Sequence, residues 1–403
     1  MALKLTPTRR RTLVFPLSLF SLLFLLYSLS FNSFRLTSRS PDPSPPLVRH
    51  TAPCNYSEGK WVLDPDPIKP RYDQSCKEIY KGWNCIANAK SNGQDLLRWR
   101  WQPSGCDLPL ADPVSFLERY RNTNIGFVGD SLNRNMYLSL VCMLKRASSE
   151  VKKWRPAGAD RGLTFVRYNL TLAYHRTYLL VRFGSWSATS DSGALESLGY
   201  KQGYRIDVDV PDQKWAEAPK FHHILVFNTG HWWWAPSKFD PVQSPMLFFQ
   251  NGVPVIPPLT PPLGMDLALK HMLRYIENLV GPDKFLFFRT QSPRHFEGGD
   301  WNAGGSCWRD QPLSIDEVGE LFSVERNGTN VESRLVNQHL FEALKGSRFH
   351  ILDITSMSVF RADAHPSTTG GKKHEDCMHW CLPGLPDIWN DLFVATLETL
   401  QIK

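Results

Sequence analysis

The chain has 403 residues, with 46 Lys and Arg against 39 Asp and Glu, a formal charge of +7. Residues 1–50 hold seven of the basic side chains (Lys4, Arg9, Arg10, Arg11, Arg35, Arg39, Arg49) and one acid, Asp42, which leaves 39 basic and 38 acidic residues elsewhere. A near-neutral body has no general electrostatic hold on a phosphate backbone, which argues against nucleic acid as a partner. With 42% apolar and 21% charged residues, the chain is not a wholly disordered one.

Residues 1–12 read as a cytosolic tail. Residues 13–31 carry no charge and, at about 19 residues, are long enough to cross roughly 30 Å of hydrocarbon as a helix. The basic residues before this run keep the N-terminus cytosolic, giving a single-pass type II signal anchor with the remainder lumenal. A cleaved signal peptide has similar flanks, but no small-x-small site closes the run, which favours the anchor. Residues 32–53 read as a stem, kept extended by Pro41, Pro43, Pro45, Pro46 and Pro53. The glycosylation acceptors Asn55, Asn169 and Asn327 all follow on the lumenal side.

The lumenal body, 54–403, divides by texture. Residues 54–120 are Cys- and Trp-rich with little periodicity and read as an irregular, disulfide-held segment. An oxidising lumen makes disulfides the default for Cys54, Cys76, Cys85, Cys106, Cys142, Cys307, Cys377 and Cys381. Spacing alone does not choose among their pairings. In 121–403, short apolar runs at 124–129, 178–183, 222–227, 284–288 and 348–354 predict strands. Helical patterns cover 132–146, 265–279, 332–344 and 388–400. The alternation predicts an α/β fold whose mostly parallel sheet carries helices on both faces. The proline-rich stretch 252–262 reads as a loop. In such sheets the crevice lies beyond the C-terminal strand ends.

Three stretches offer chemistry. In Gly129-Asp130-Ser131 a strand turns into a helix, placing Ser131 where free N–H groups and the helix dipole favour an oxyanion. The plainer alternative makes Ser131 a helix cap. In Asp376-Cys377-Met378-His379, residues three apart share one face of a helical turn, so the carboxylate can orient the imidazole toward a serine. Alternatives are a surface pair, or zinc held by His374, Cys377, His379 and Cys381, although an oxidising compartment sooner pairs those thiols. In Asn228-Thr-Gly-His231-Trp-Trp-Trp234, Asn228 is placed to donate an amide N–H to an oxyanion. Trp232–Trp234 suit sugar stacking or core filling; three in a row cannot all face one way. His231 reads as packing or hydrogen-bonding locally.

Taken together, Gly126-Phe-Val-Gly-Asp-Ser-Leu-Asn-Arg-Asn135, Arg289-Thr-Gln-Ser-Pro-Arg-His-Phe-Glu-Gly-Gly-Asp-Trp-Asn302, Gly304-Gly-Ser-Cys307 and the long block Asp376-Cys-Met-His-Trp-Cys-Leu-Pro-Gly-Leu-Pro-Asp-Ile-Trp-Asn390 resemble a known family. They are similar to the plant trichome birefringence-like proteins, Golgi polysaccharide O-acetyltransferases with a fold like that of SGNH/GDSL esterases. The resemblance runs from about Cys54 to the C-terminus. It implies Ser131 as nucleophile, His379 as base and Asp376 as its orienter. It also implies that Arg134 helps hold the acetyl oxyanion, with the Ser131 N–H and Asn228, beside Gly129 and Asp130 of the motif. The disulfides it implies are Cys54–Cys106, Cys76–Cys142, Cys85–Cys377 and Cys307–Cys381, the last two clamping the loop of Asp376 and His379.

Residues 173–190 and 364–373 depart from the family pattern. Both read as lying away from the three reacting residues, and so bear on the acceptor rather than on the reaction. The expected reaction passes an acetyl group from a donor, acetyl-CoA or an acetylated intermediate, through Ser131 to a cell-wall polysaccharide hydroxyl. No metal or tightly bound cofactor is implied. Near-neutrality suits a largely uncharged hemicellulose better than pectin, and the resemblance implies xylan, a frequent acceptor in that family. The expected setting is the Golgi membrane, with other acetylation-pathway proteins there as partners. The alternatives are an acetylesterase using the same residues and a non-catalytic wall-polysaccharide binder, for which the aromatic clusters would suffice.

Overall fold

The computed structural model describes residues 54–64, 70–189, 193–235, 238–324 and 330–401. The tail, the apolar run 13–31, the stem and the acceptor Asn327 lie outside the described residues. Among the described residues no helix is long and apolar enough to cross a membrane. Asn55 and Asn169 are exposed.

The Cys- and Trp-rich part opens with the antiparallel pair β1 (Gly59–Leu63) and β2 (Trp99–Pro103). The strands that follow are β3 (Asn124–Gly129), β4 (Val151–Lys153), β5 (Arg161–Phe165), β6 (Leu170–Arg176), β7 (Val181–Ser187), β8 (Gln202–Pro211), β9 (Ile224–Phe227), β10 (Met246–Gln250), β11 (Val253–Pro254), β12 (Phe285–Arg289) and β13 (His350–Leu352). The longest helices are α1 (Ser131–Ala147), α2 (Pro261–Leu279), α3 (Glu332–Leu344) and α4 (Leu385–Gln401).

The seven-stranded central sheet runs β13-β12-β9-β3-β6-β5-β4. Its first five strands are parallel, while β5 and β4 join antiparallel. A second sheet, β11-β10-β8-β7, is also mixed. The expectation of a mostly parallel sheet is therefore corrected to a mixed α/β fold. Parallel strands need a long crossover, and between Ser148 and Tyr178 the chain has only short turns, which permit antiparallel pairing alone. One of these turns bends at Asn169, which adopts φ +49°. The strand expected at 178–183 begins only at Val181 and belongs to the second sheet. The stretch 252–262 contains β11 and the first turn of α2, with proline at the helix start where its missing N–H costs nothing.

Successive residues of the parallel strands feed two cores, one on each face. Ile125, Phe127, Ile224, Val226 and Phe287 pack with Leu132, Met136 and Leu140 of α1 and Leu385, Trp389 and Phe393 of α4. Val128, Leu225, Phe227, Leu286 and Phe288 pack with Met265 and Leu269 of α2 and Val336 and Leu340 of α3. Each such burial is worth about 1.5–3 kcal/mol, against about 0–1 for a surface ion pair. Packing therefore fixes where the strand ends lie. β3 is the switch point: the chain builds outward to β6 on one side and to β9, β12 and β13 on the other.

The disulfides are Cys54–Cys106, Cys76–Cys142, Cys85–Cys381 and Cys307–Cys377. The first two match the implied pairs; the last two correct Cys85–Cys377 and Cys307–Cys381. Backbone bonds give the reason. Leu382 N donates to Trp83 O at 2.8 Å, laying Cys381 beside Cys85, and His295 N donates to Cys377 O at 3.0 Å, holding Cys377 in the layer that carries Cys307.

Candidate active site

The site starts at the turn from β3 into α1. Gly129 has φ +153°, and a Cβ there would lie 1.9 Å from Asn228 Oδ1, so both backbone angle and space demand glycine. Asp130, not Ser131, is the helix cap: its carboxylate accepts from Leu132 N at 2.9 Å. The cap alternative for Ser131 is thereby overturned, and its hydroxyl meets His379 Nε2 at 2.7 Å instead.

Asn228 is fully buried just after β9 and meets Asp130. Its Nδ2 donates to Asp130 Oδ1 at 2.9 Å and its Oδ1 accepts from Asp130 N at 3.2 Å. The amide braces the turn that carries Ser131.

Asp376 and His379 lie on a loop rather than on the expected helical turn. They meet because Asp376 Oδ1 accepts both from the His379 backbone N–H at 3.1 Å and from Nδ1 at 2.9 Å. Nδ1 therefore carries the proton and Nε2 offers its lone pair to Ser131. Burial alone would raise the Asp376 carboxyl, but His379 and Lys372 outweigh it and hold the group well below the usual carboxylate range. Lys372 Nζ bonds Asp376 Oδ2 directly.

The loop is anchored on every side. Trp380 N donates to Asn135 Oδ1 at 2.7 Å and Asn135 Nδ2 returns a bond to Trp380 O at 3.2 Å, tying the loop to α1. Met378 packs on the core, and the disulfides of Cys377 and Cys381 flank His379. Those bonds leave neither sulfur as a thiolate, which removes the zinc alternative. The Trp83 ring stacks on the His379 ring at 4.8 Å. Arg134, one turn after Ser131 on α1, sets its guanidinium 4.7 Å from the Trp83 ring and 5.5 Å from Tyr80. Burial pushes its pKa below the ordinary arginine value.

Residues 108–396 match a GDSL/SGNH-like acyl-esterase family found in Pmr5 and Cas1p, and residues 52–107 match the PMR5 N-terminal domain. Protein trichome birefringence-like 13 of Arabidopsis thaliana is 60% identical, over 98% of this chain and 99% of the relative. The chain belongs to the trichome birefringence-like family. Trichome birefringence-like 12 of the same plant is 43% identical over 86% of each chain. The Arabidopsis protein named xyloglucan O-acetyltransferase 2 is 30% identical, over 86% of this chain and 83% of that one.

Within this trichome birefringence-like chain, sequence reasoning misjudged both atypical stretches: in 173–190 the Tyr174 hydroxyl donates to Asp130 O at 2.9 Å and Thr177 N donates to Gly129 O at 2.9 Å, at the turn that carries Ser131. Residues 364–373 do not lie away from the site: Lys372 pairs with Asp376, and Ser367 bridges to Asp376 through backbone bonds of 3.2 Å in both directions. Lys372 had no readable signal, since a spacing of four brings side chains together on a helix and this stretch is a loop. Trp83 had none beyond its nearness to Cys85. His231 hydrogen-bonds at long range rather than locally, its Nδ1 lying 3.2 Å from Glu332 Oε1 at the start of α3. The three tryptophans do diverge: Trp232 lies against Tyr178, Trp233 is buried and donates to Thr229 Oγ1, and Trp234 lies against His339.

Proposed function

We propose that this protein is an O-acetyltransferase that moves an acetyl group through Ser131 onto hydroxyls of a cell-wall polysaccharide. One observation carries the reading: Ser131 Oγ, His379 and Asp376 form a continuous hydrogen-bonded relay of 2.7 and 2.9 Å with the lone pair of Nε2 aimed at the hydroxyl. His379 Nε2 takes the Ser131 proton as Oγ attacks the acetyl carbonyl of the donor. The tetrahedral oxyanion lies at the start of α1, beside the Ser131 N–H and within the field of Arg134. It collapses to an acetyl-serine while His379 returns the proton to the leaving group. A sugar hydroxyl then attacks the ester, His379 removes its proton, and Ser131 leaves reprotonated. Asp376 stays ionised throughout and steadies the imidazolium.

The name of the xyloglucan O-acetyltransferase relative supports a hemicellulose acceptor. The half-buried positions of Ser131 and His379 give a polymer access to the hydroxyl. Xylan is the acceptor to try first, with acetyl-CoA or an acetylated intermediate as donor. The basic head and apolar run 13–31 support a type II anchor in the Golgi membrane, with acetylation-pathway proteins there as partners and the sequons of Asn55, Asn169 and Asn327 as glycosylation acceptors. The test incubates the full-length protein with an acetyl donor and deacetylated xylan, mannan, xyloglucan and pectin oligomers. A sugar product heavier by one acetyl, lost in Ser131→Ala, is the expected result. Release of free acetate alone would assign an esterase, and tight oligomer binding without either product a binding protein.

A further inference from the structure

Behind the reacting residues lie two fully buried histidines, His295 from the block after β12 and His365 from the stretch that departs from the family pattern. They form one chain of contacts. His295 Nε2 faces Val359 O at 2.8 Å, His295 Nδ1 faces His365 Nε2 at 2.7 Å, and His365 Nδ1 faces the backbone carbonyl oxygen of His379 at 2.8 Å. Both also grip the neighbouring backbone. His295 N donates to Cys377 O, and the His365 ring stacks on Trp380 at 4.0 Å.

Counting protons along this chain gives an unexpected total. A carbonyl oxygen only accepts, so both outer nitrogens must carry hydrogen. The two inner nitrogens bond only if one of them also does. Three hydrogens are needed, whereas two neutral imidazoles carry two. A neutral pair leaves lone pair against lone pair in one of three places: between the rings, against Val359 O, or against the His379 carbonyl. We propose that His365, sharing a third proton with His295, is a positioning residue that holds the backbone of His379, so that every contact seating the base is made at once only while the pair carries one positive charge.

The surrounding groups set how firmly that proton is held. Burial pushes His295 down to about 4, partly offset by Val359 O and the carboxylates Asp363 and Glu297, with Arg309 opposing. Burial and then His295 hold His365 well below the usual imidazole range, while the His379 carbonyl and Asp376 pull it up and Lys90 opposes. The third proton therefore leaves on the acid side of ordinary histidine, and seating weakens as pH rises through that titration. His379 must itself be neutral to act, so the two requirements oppose each other.

The inference rests on the proposed role of His379, and its test separates the two. In full-length protein with 15N-labelled histidine, a far-downfield proton bonded between two ring nitrogens is expected at acid pH. It should vanish on raising the pH and be absent from His365→Asn. This needs no substrate, so it reports on the pair even if Ser131→Ala leaves acetyl transfer intact and the functional reading falls. In the transfer assay, Asn places a permanent amide donor where Nδ1 lies. H365N should keep most activity at acid pH and lose the wild-type decline with rising pH, whereas H365A should lose on the order of 10²-fold in kcat. No such resonance at any acid pH, or equal losses in H365N and H365A with an unchanged pH profile, would overturn the proposal.

Discussion

Replacing Gly129 with alanine tests how the turn presents Ser131. The added methyl would lie 1.9 Å from Asn228 Oδ1 and 2.7 Å from Asn228 O, at φ +153°. Alanine at such an angle costs about 1–3 kcal/mol. Driving Asn228 away also breaks its two bonds to Asp130, one neutral at about 1 kcal/mol and one to a carboxylate at about 1.5–3. The total is about 4–7 kcal/mol, a large share of the roughly 5–15 kcal/mol that holds a domain together. At about 2 °C per kcal/mol, the melting temperature should fall by roughly 8–15 °C. Because the same shift displaces Ser131, labelling of the serine by a fluorophosphonate should slow on the order of 10²-fold. Thermal unfolding followed by circular dichroism and timed labelling read the two effects. Adding Asn228→Ala removes the nearest clash, so the double variant should lose less than the sum of the two single losses. Melting of G129A within about 2 °C of wild type, with labelling undiminished, would show that the Asn228 contact does not constrain the turn.

Asp376→Asn should cut transfer on the order of 10⁴-fold, because an amide facing Nδ1 favours the tautomer with hydrogen on Nε2. Its stability effect has a defined sign. The folded carboxyl is held below its unfolded value of about 3.9, so its contribution is full above that pH and is lost as pH falls through the folded value. The melting difference between wild type and D376N should therefore be greatest near neutrality and close in strong acid, as scans across pH will read. Trp83→Leu removes the ring stacked on His379 and under Arg134, an interaction worth about 0.5–1.5 kcal/mol, and should lower kcat up to about tenfold with little change in KM. Mapping of non-reduced peptides should recover Cys85 joined to Cys381 and Cys307 joined to Cys377; a Cys85–Cys377 peptide would refute the pairing.

Much of this protein is legible in the sequence, because local chemistry governs those features. The Gly129-Asp130-Ser131 turn has no freedom: glycine is forced by the angle, and an acid before a helix caps it. The helices carry their apolar periodicity in plain view, and α3 spans 332–344 as read. β6 escaped notice because Thr171 and His175 interrupt its apolar pattern, and their burial makes sense only once Thr164 and His222 are known to lie opposite. The long Asp376 block identifies the family whatever its neighbours do. The sequence could not decide which cysteine of the Cys377–Cys381 segment meets which distant partner, since both lie on one short loop and only the backbone bonds from Leu382 and His295 separate them. Nor could it place Trp83 on His379, turn the Asn228 amide back onto Asp130, or bring Lys372 to Asp376 and His365 behind His379. Those are contacts between elements far apart in the chain or on an irregular loop, where no periodicity announces them. Two packed cores fix the strand ends, and the ends fix which side chains meet.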